Sequence, residues 1–119
     1  MYNRRGAAGG PPQNFSVLSS HRWIPPALDA LAGMEGLDLD GFLLPGHVLT
    51  VTGPEPYDRF ARLVRRPCAV AGFEPLDIML GLTSLVEMAD SGRDGLVNAY
   101  PRAVRPGGNA RALEAMNRA

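Results

Sequence analysis

The sequence predicts an α/β fold with a three-layer, Rossmann-like arrangement, in which helices flank a mostly parallel sheet. Short apolar segments typical of strands alternate three times with longer segments of helical periodicity, an order that favours parallel pairing with right-handed crossovers. The clearest unit is PCAVAGFEPLDIML at residues 67–80. It begins with an apolar run typical of a strand buried on both faces, and its Pro75 suits the first turn of a helix. The length of 119 residues allows one domain with a modest core.

The N-terminal part of the chain predicts a tail, a strand and a helix. Residues 1–13 have no periodicity and predict a disordered tail before a domain at residues 14–119. FSVLS at residues 15–19 is the first predicted strand. IPPALDALAGM, which begins at Ile24, has apolar residues at helical spacing and stops at Gly33, so it predicts the first helix.

The middle of the chain predicts a second strand and an amphipathic helix. GFLLP at residues 41–45 is an apolar strand candidate, and GHV at residues 46–48 predicts a turn after it. YDRFARLVRR at residues 57–66 places its apolar residues on one helical face and its arginines largely off that face. This pattern indicates a helix that packs on the sheet.

The third strand and the longest helix follow. The strand is predicted at residues 68–72, and the helix runs from Pro75 to about Ala89, ended by Ser91 and Gly92. The helix is expected to face the core through five residues: Ile78, Leu82, Leu85, Val86 and Ala89.

The C-terminal part is less regular. LVNAYPRAVR at residues 96–105 is ambiguous, because Pro101 allows an edge strand at best. PGGN at residues 106–109 predicts a turn, and residues 110–119 predict a last helix.

The composition excludes several classes of function. The 12 basic and 12 acidic residues cancel, so nothing indicates binding to nucleic acid. No apolar run reaches the roughly 18 residues of a membrane span, and the first ten residues lack the apolar centre of a secretory signal. We therefore expect a cytoplasmic protein. The single cysteine, Cys68, excludes an internal disulfide and an all-cysteine metal or cluster site.

Polar side chains follow each of the three predicted strands. They are Ser19, Ser20 and His21 after the first strand, His47 after the second and Glu74 after the third. Because the carboxyl ends of parallel strands lie at one edge of a sheet, we expect these side chains to share that edge. His47 and Glu74 are the candidates for acid–base chemistry, and His21 is a weaker candidate for a metal ligand.

Structural roles remain open for the same residues. Glu74 and Asp77 could serve only as carboxylates at a helix N-terminus, and a histidine in a turn could simply hydrogen-bond nearby backbone. Cys68 starts its strand, so the strand length separates it from Glu74 by roughly 13–17 Å. The two cannot bind one metal ion, and we expect Cys68 to be inert and buried.

Five blocks of the sequence together closely resemble the HypD family of hydrogenase maturation factors. In chain order they are NFSVLSSHRWIPPAL (14–28), DGFLLPGHV (40–48), EPYDRFA (55–61), PCAVAGFEPLDIML (67–80) and AVRPGGNARALE (103–114). The resemblance implies an α/β fold and a role in assembling the Fe(CN)2CO centre of nickel–iron hydrogenases. It also implies a scaffold that holds iron together with HypC, receives cyanide from HypE and carries a [4Fe–4S] cluster with a redox role.

The resemblance extends only to the central portion of the family. HypD proteins are much longer, with Cys-Gly-Thr-His-Glu and Cys-Pro-x-Cys motifs upstream and cluster cysteines in a further C-terminal domain, and none of these is present here. The expected sheet is therefore incomplete and the chain a fragment. His47 and Glu74 match the family's Gly-His-Val and Gly-Phe-Glu-Pro positions, which face a cleft between domains, whereas Leu49 replaces a serine common in that turn.

Three functional hypotheses follow. The leading one is a HypD-like maturation scaffold fragment that does not act alone. The alternative is a small stand-alone α/β enzyme that uses His47 and Glu74 as acid and base. The third is a truncated domain that folds poorly because its sheet lacks neighbours.

Overall fold

The fold was obtained as a computed structural model, which describes residues 24–34, 36 and 38–118. The predicted tail at residues 1–13 and the predicted strand at residues 15–19 lie outside these residues. The described part contains three strands and five helices: α1 (Ile24–Ala32), β1 (Phe42–Pro45), α2 (Gly46–Thr52), α3 (Glu55–Val64), β2 (Pro67–Ala71), α4 (Pro75–Asp90), β3 (Gly95–Asn98) and α5 (Ala110–Arg118). None of the helices described is both long and apolar enough to cross a bilayer.

The three strands form one parallel sheet in the order β1-β2-β3. Phe42 lies beside Cys68 in the first pairing, and Cys68 lies beside Leu96 in the second. Every residue of β2 is buried, as expected for a strand with neighbours on both sides. The ambiguous segment after residue 95 is a strand at the edge of the described sheet, and it ends before Pro101.

One face of the sheet carries the main core. Its buried cluster joins β1 and β2 to α2 and α3, and α1 packs beside α3. Phe60 of α3 contacts Phe42 of β1 edge-on, with ring centroids 5.1 Å apart. The buried members of the cluster are Leu44, Leu49, Tyr57, Phe60, Ala61, Cys68, Val70 and Val104.

Helix α4 covers the opposite face. At Gly81 the helix is so close to the sheet that an added Cβ atom would lie 2.8 Å from Leu43 Cδ1 and 2.9 Å from Ala71 Cβ. Leu43 and Ala71 alternate with the core residues Leu44 and Val70, so they point to the other side of the sheet. The result is the predicted three-layer α/β arrangement, with helices on both faces.

The expectation of right-handed crossovers fails for one of the two connections. The strand order advances in one direction, yet α3 lies on one face of the sheet and α4 on the other. Two crossovers that advance in the same direction on opposite faces have opposite hands. α3 packs on its face of the sheet through the apolar cluster, and α4 packs on the other face because Gly81 allows close approach to Leu43 and Ala71.

Two local predictions were also wrong. The GHV segment forms the start of α2 and not a turn, so β1 continues directly into a helix. The predicted core stripe of α4 is only partly correct: Ile78 and Leu85 are half-buried on the side of the sheet, whereas Leu82, Val86 and Ala89 are exposed. The buried residues of the helix are Asp77, Gly81 and Met88. Apolar residues surround most of this helix, so its periodicity does not reveal which side faces the sheet.

Candidate functional site at the carboxyl edge of the sheet

Three segments meet where the parallel strands end, and we call them the rim: residues 46–47, residues 72–74 and residues 99–102. His47 lies in the first turn of α2, directly after β1. Glu74 is the residue before α4 and follows β2. Tyr100 and Arg102 follow β3. His47 and Glu74 therefore lie at the edge predicted for them, while Ser19, Ser20 and His21 lie outside the described residues.

The Glu74 side chain is directed to an arginine and does not cap its own helix. Its backbone is extended, with φ −70° and ψ 147°, and its carboxylate makes no cap hydrogen bond. Its Oε2 instead accepts a hydrogen bond from Nη2 of Arg102 at 3.1 Å. The Glu74 side chain remains 76% exposed, so one face of the carboxylate is open to a ligand.

Asp77 is the buried member of this network. Its side chain is only 1% exposed, and both of its oxygens accept hydrogen bonds from Arg102, with Nη2 at 2.8 Å from Oδ2. These bonds lower the pKa of Asp77 against the opposing effect of burial, and the backbone N–H of Glu74 contributes in the same direction. Paired forks of this kind fix orientation as well as charge. Arg102 thus holds Asp77 and Glu74 in place together.

Tyr100 fills the space under the network because two glycines leave room for it. A Cβ atom at Gly46 would lie 2.7 Å from the Tyr100 ring, and one at Gly72 would lie 2.8 Å from it. The guanidinium carbon of Arg102 lies 4.6 Å from the centre of the same ring, a cation–π contact. The three segments of the rim are therefore packed against one another through Tyr100.

His47 has a different neighbour from Glu74. Its exposed imidazole lies against Phe73, with ring centroids 4.7 Å apart and planes inclined by 43°. Phe73 is itself 69% exposed. Phe73, which His47 contacts, directly precedes Glu74 in the chain. Because the side chains of His47 and Glu74 are both exposed, they lie side by side on an open surface.

Sequence reasoning missed Arg102 and the depth at which Asp77 is buried. The position of Asp77 in the first turn of α4 indicated only a capping role. Its partner is 25 residues further along, in the segment that the sequence left ambiguous. An arginine next to a tyrosine and a proline carries no signal that would assign it to a carboxylate.

The residues of this chain do not fit a [4Fe–4S] cluster. Such a cluster normally needs four thiolates, and the chain has one cysteine. Cys68 is fully buried at the start of β2, as predicted, and burial raises its pKa to about 12, which favours the protonated thiol. Within the described residues, no group of three or more His, Cys, Asp or Glu side chains could hold a metal ion.

Comparison with known proteins gives a consistent result. The HypD family model, described as "Hydrogenase formation hypA family", matches residues 5–119. A Methanocaldococcus jannaschii protein whose name assigns it to hydrogenase expression and formation is 40% identical over 104 residues, which is 87% of this chain and 29% of that protein.

Two bacterial relatives are similar to the same extent. Hydrogenase maturation factor HypD of Azotobacter vinelandii is 42% identical over 105 residues, covering 84% of this chain and 28% of the relative. Hydrogenase maturation factor HypD2 of Bradyrhizobium diazoefficiens is 39% identical over 108 residues, covering 86% of this chain and 28% of the relative. The chain therefore spans less than a third of the length of these relatives.

Proposed function

Because this chain belongs to the HypD family of hydrogenase maturation proteins, we propose that it acts as one segment of a scaffold on which the Fe(CN)2CO centre of nickel–iron hydrogenase is assembled. The observation that carries the proposal is the family match over residues 5–119, with about 40% identity to several maturation factors. We further propose that residues 14–119 form one α/β unit of this scaffold and that the scaffold works in the cytoplasm.

Within that scaffold, His47 and Glu74 line one wall of a cleft. Ligands of α/β proteins usually bind beyond the carboxyl ends of the strands, where these two side chains lie. A neutral imidazole can both donate and accept a hydrogen bond, and an ionised carboxylate accepts several. Arg102 keeps the Glu74 carboxylate on the rim while leaving one side of it accessible. The two side chains are thus suited to orient polar groups carried on the iron.

Iron is the cargo of this process and other polypeptide segments complete the machinery. We propose a HypC-like partner that shares the iron and a HypE-like partner that delivers cyanide. We propose that the [4Fe–4S] cluster implied by the resemblance belongs to parts of the longer family members that this chain does not match, since the chain lacks the thiolates for it. No step assigned to the chain passes through the cluster.

A stand-alone acid–base enzyme has no comparable support. Glu74 is largely exposed and bound to Arg102, and His47 is stacked on Phe73. Cavities of about 580 and 350 Å3 lie elsewhere on the molecule, lined by neither His47 nor Glu74.

The proposal can be tested by exchanging segments. The part of Azotobacter vinelandii HypD that aligns with this chain is replaced by the chain's own sequence, and hydrogenase activity is measured in a strain that lacks its own HypD. We expect the chimera to restore maturation. His47→Ala and Glu74→Gln should each lower the hydrogenase activity by about tenfold or more, the lower end of the loss found for groups that orient the ligands of a metal.

Glu114→Gln is the matched control. Glu114 is an exposed glutamate, bound to Arg118 on α5 as Glu74 is bound to Arg102, but it belongs to none of the three segments of the rim. It should leave maturation unchanged. Full activity of both rim variants would refute the proposed roles of His47 and Glu74, and a correctly folded but inactive parent chimera would refute the proposed function.

A further inference from the structure

Helix α4 has a second apolar face, directed away from the sheet. Its inner side carries the buried residues Asp77, Gly81 and Met88. Its outer side carries Leu76 (68%), Met79 (59%) and Val86 (67%), and its two flanks carry Leu80 (48%) and Leu82 (43%), all with much of their surface in solvent. Phe73, 69% exposed, extends the patch beyond the start of the helix. A helix that is apolar on both sides is typical of one covered on both sides.

The spacing of the outer residues indicates what kind of surface covers them. Leu76, Met79, Thr83 and Val86 are separated by steps of three, four and three residues. This is the spacing of a helix that packs lengthwise along another helix, with small Thr83 allowing close approach. We call these four residues the seam.

The charges beside the seam restrict the partner further. Asp90 continues the spacing of the seam, four residues after Val86, and Glu87 lies beside the seam; the helix contains neither lysine nor arginine. A partner helix that is apolar along its length and basic at one end would complement both the seam and these carboxylates.

We propose that the seam is the docking site for an apolar-faced helix from the part of a HypD-type polypeptide that lies outside the segment matched here. The length of the family members supports this occupant, since more than two thirds of each relative lies beyond the matched segment. The inference goes beyond the proposed function and depends on family membership alone. It would stand if His47 and Glu74 had no role in maturation.

The test compares one double substitution in two settings. Leu76→Ser with Val86→Ser is made in the 119-residue chain and in the Azotobacter vinelandii chimera, and thermal unfolding of each protein is recorded. We expect the Tm of the chimera to fall by about 4 °C or more, because the substitution removes buried contacts there. In the isolated chain the Tm should change by less than about 2 °C, because both side chains are exposed.

Leu63→Ser is the matched control, since Leu63 is 54% exposed on α3 and lies away from the seam. Leu63→Ser should change the Tm little, both in the 119-residue chain and in the chimera. An unchanged Tm of the chimera would overturn the proposal. A fall in the isolated chain would assign the seam to another segment of the same chain, and a dimer that the double substitution dissociates would assign it to a second copy; either result overturns the proposal. If the chimera does not fold, the same substitutions at the aligned positions of intact Azotobacter vinelandii HypD decide the matter by the same criterion.

Discussion

The contact between Asp77 and Arg102 is the individual interaction on which the rim depends most. Asp77 is a buried carboxylate, and burial of a charge is unfavourable unless the charge is paired and hydrogen-bonded. Arg102, in the segment that follows β3, supplies the pairing. The same guanidinium also donates a hydrogen bond to Glu74. The buried Asp77 therefore fixes Arg102, and Arg102 in turn fixes the exposed carboxylate of Glu74.

This contact predicts a specific dependence of stability on pH. The pKa of Asp77 lies below its ordinary value of 3.8 in the folded chain, so its contribution to stability is complete above that value and is lost as the pH falls through the lowered pKa. Asp77→Asn should therefore be less stable than the wild type between pH 5 and pH 7 by a constant amount. The difference should shrink at lower pH, measured as the urea midpoint at each pH.

Asp58→Asn serves as the comparison for that series. Asp58 also binds an arginine, Arg62, but on the exposed surface of α3. Such pairs contribute roughly 0–1 kcal/mol, so this variant should stay close to the wild type throughout. If the difference in urea midpoint between the wild type and Asp77→Asn stayed constant down to pH 3, ionisation of Asp77 would not be the source of the pH dependence of stability.

At the scale of single residues, the sequence predicted where a side chain lies in the fold better than which other side chain it contacts. His47 and Glu74 could be assigned to the rim because the residue after a parallel strand has only one edge to occupy. Cys68 could be assigned to the interior because it begins an apolar run. The role of Arg102 could not be predicted, because it depends on where β3 pairs and on how closely Tyr100 approaches Gly72.

Helix α4 shows the corresponding limit at the scale of elements. Its bounds were predictable from Pro75 at the start and from Ser91 and Gly92 after the end. Its orientation was not, because the hydrophobic effect favours burial of either side when both are apolar. Contact with the sheet decides the matter: Gly81 alone allows the helix axis to approach Ala71 so closely.

Substitution of Gly81 tests this account of the helix. Alanine is a better helix former than glycine by about 1 kcal/mol, and in an open position Gly81→Ala would be stabilising. Here the new methyl group meets Leu43 and Ala71, and overpacking of a core costs about 1–3 kcal/mol. We expect a net loss of about 1 kcal/mol in the free energy of unfolding, measured by urea denaturation.

Thr83→Ala, on the outer side of the same helix, should give a gain of a few tenths of a kcal/mol from helix propensity alone. A stabilising Gly81→Ala would mean that the helix can move away from the sheet without loss. In that event close packing at Gly81 would not be what orients α4.

At the scale of the whole molecule, layer architecture was predictable and handedness was not. Alternation of short apolar runs with amphipathic segments is enough to predict a parallel sheet with helices on both faces. The hand of each crossover depends on which face each helix covers. That choice is made by contacts such as Phe42 with Phe60 and Gly81 with Ala71, which join residues that are far apart in sequence.

The whole chain also makes a prediction about cofactor loading. Anaerobic reconstitution of the isolated chain with iron and sulfide should give no stable [4Fe–4S] cluster, because its one thiol is buried and protonated. Iron content and the absorption of sulfide-to-iron charge transfer measure the outcome. A stoichiometric cluster that survives desalting would contradict it, and intact Azotobacter vinelandii HypD treated in parallel is the positive control.

The burial of Cys68 has a practical consequence for studying this protein in solution. Since a thiol must ionise to react with maleimides or iodoacetamides, we expect the native chain not to react with such reagents, without removal of any residue. A cysteine introduced at Phe73 or at Val86 would be the single reactive thiol, on the rim in one case and on the seam in the other. Fluorophores or spin labels attached there would report separately on what reaches each surface.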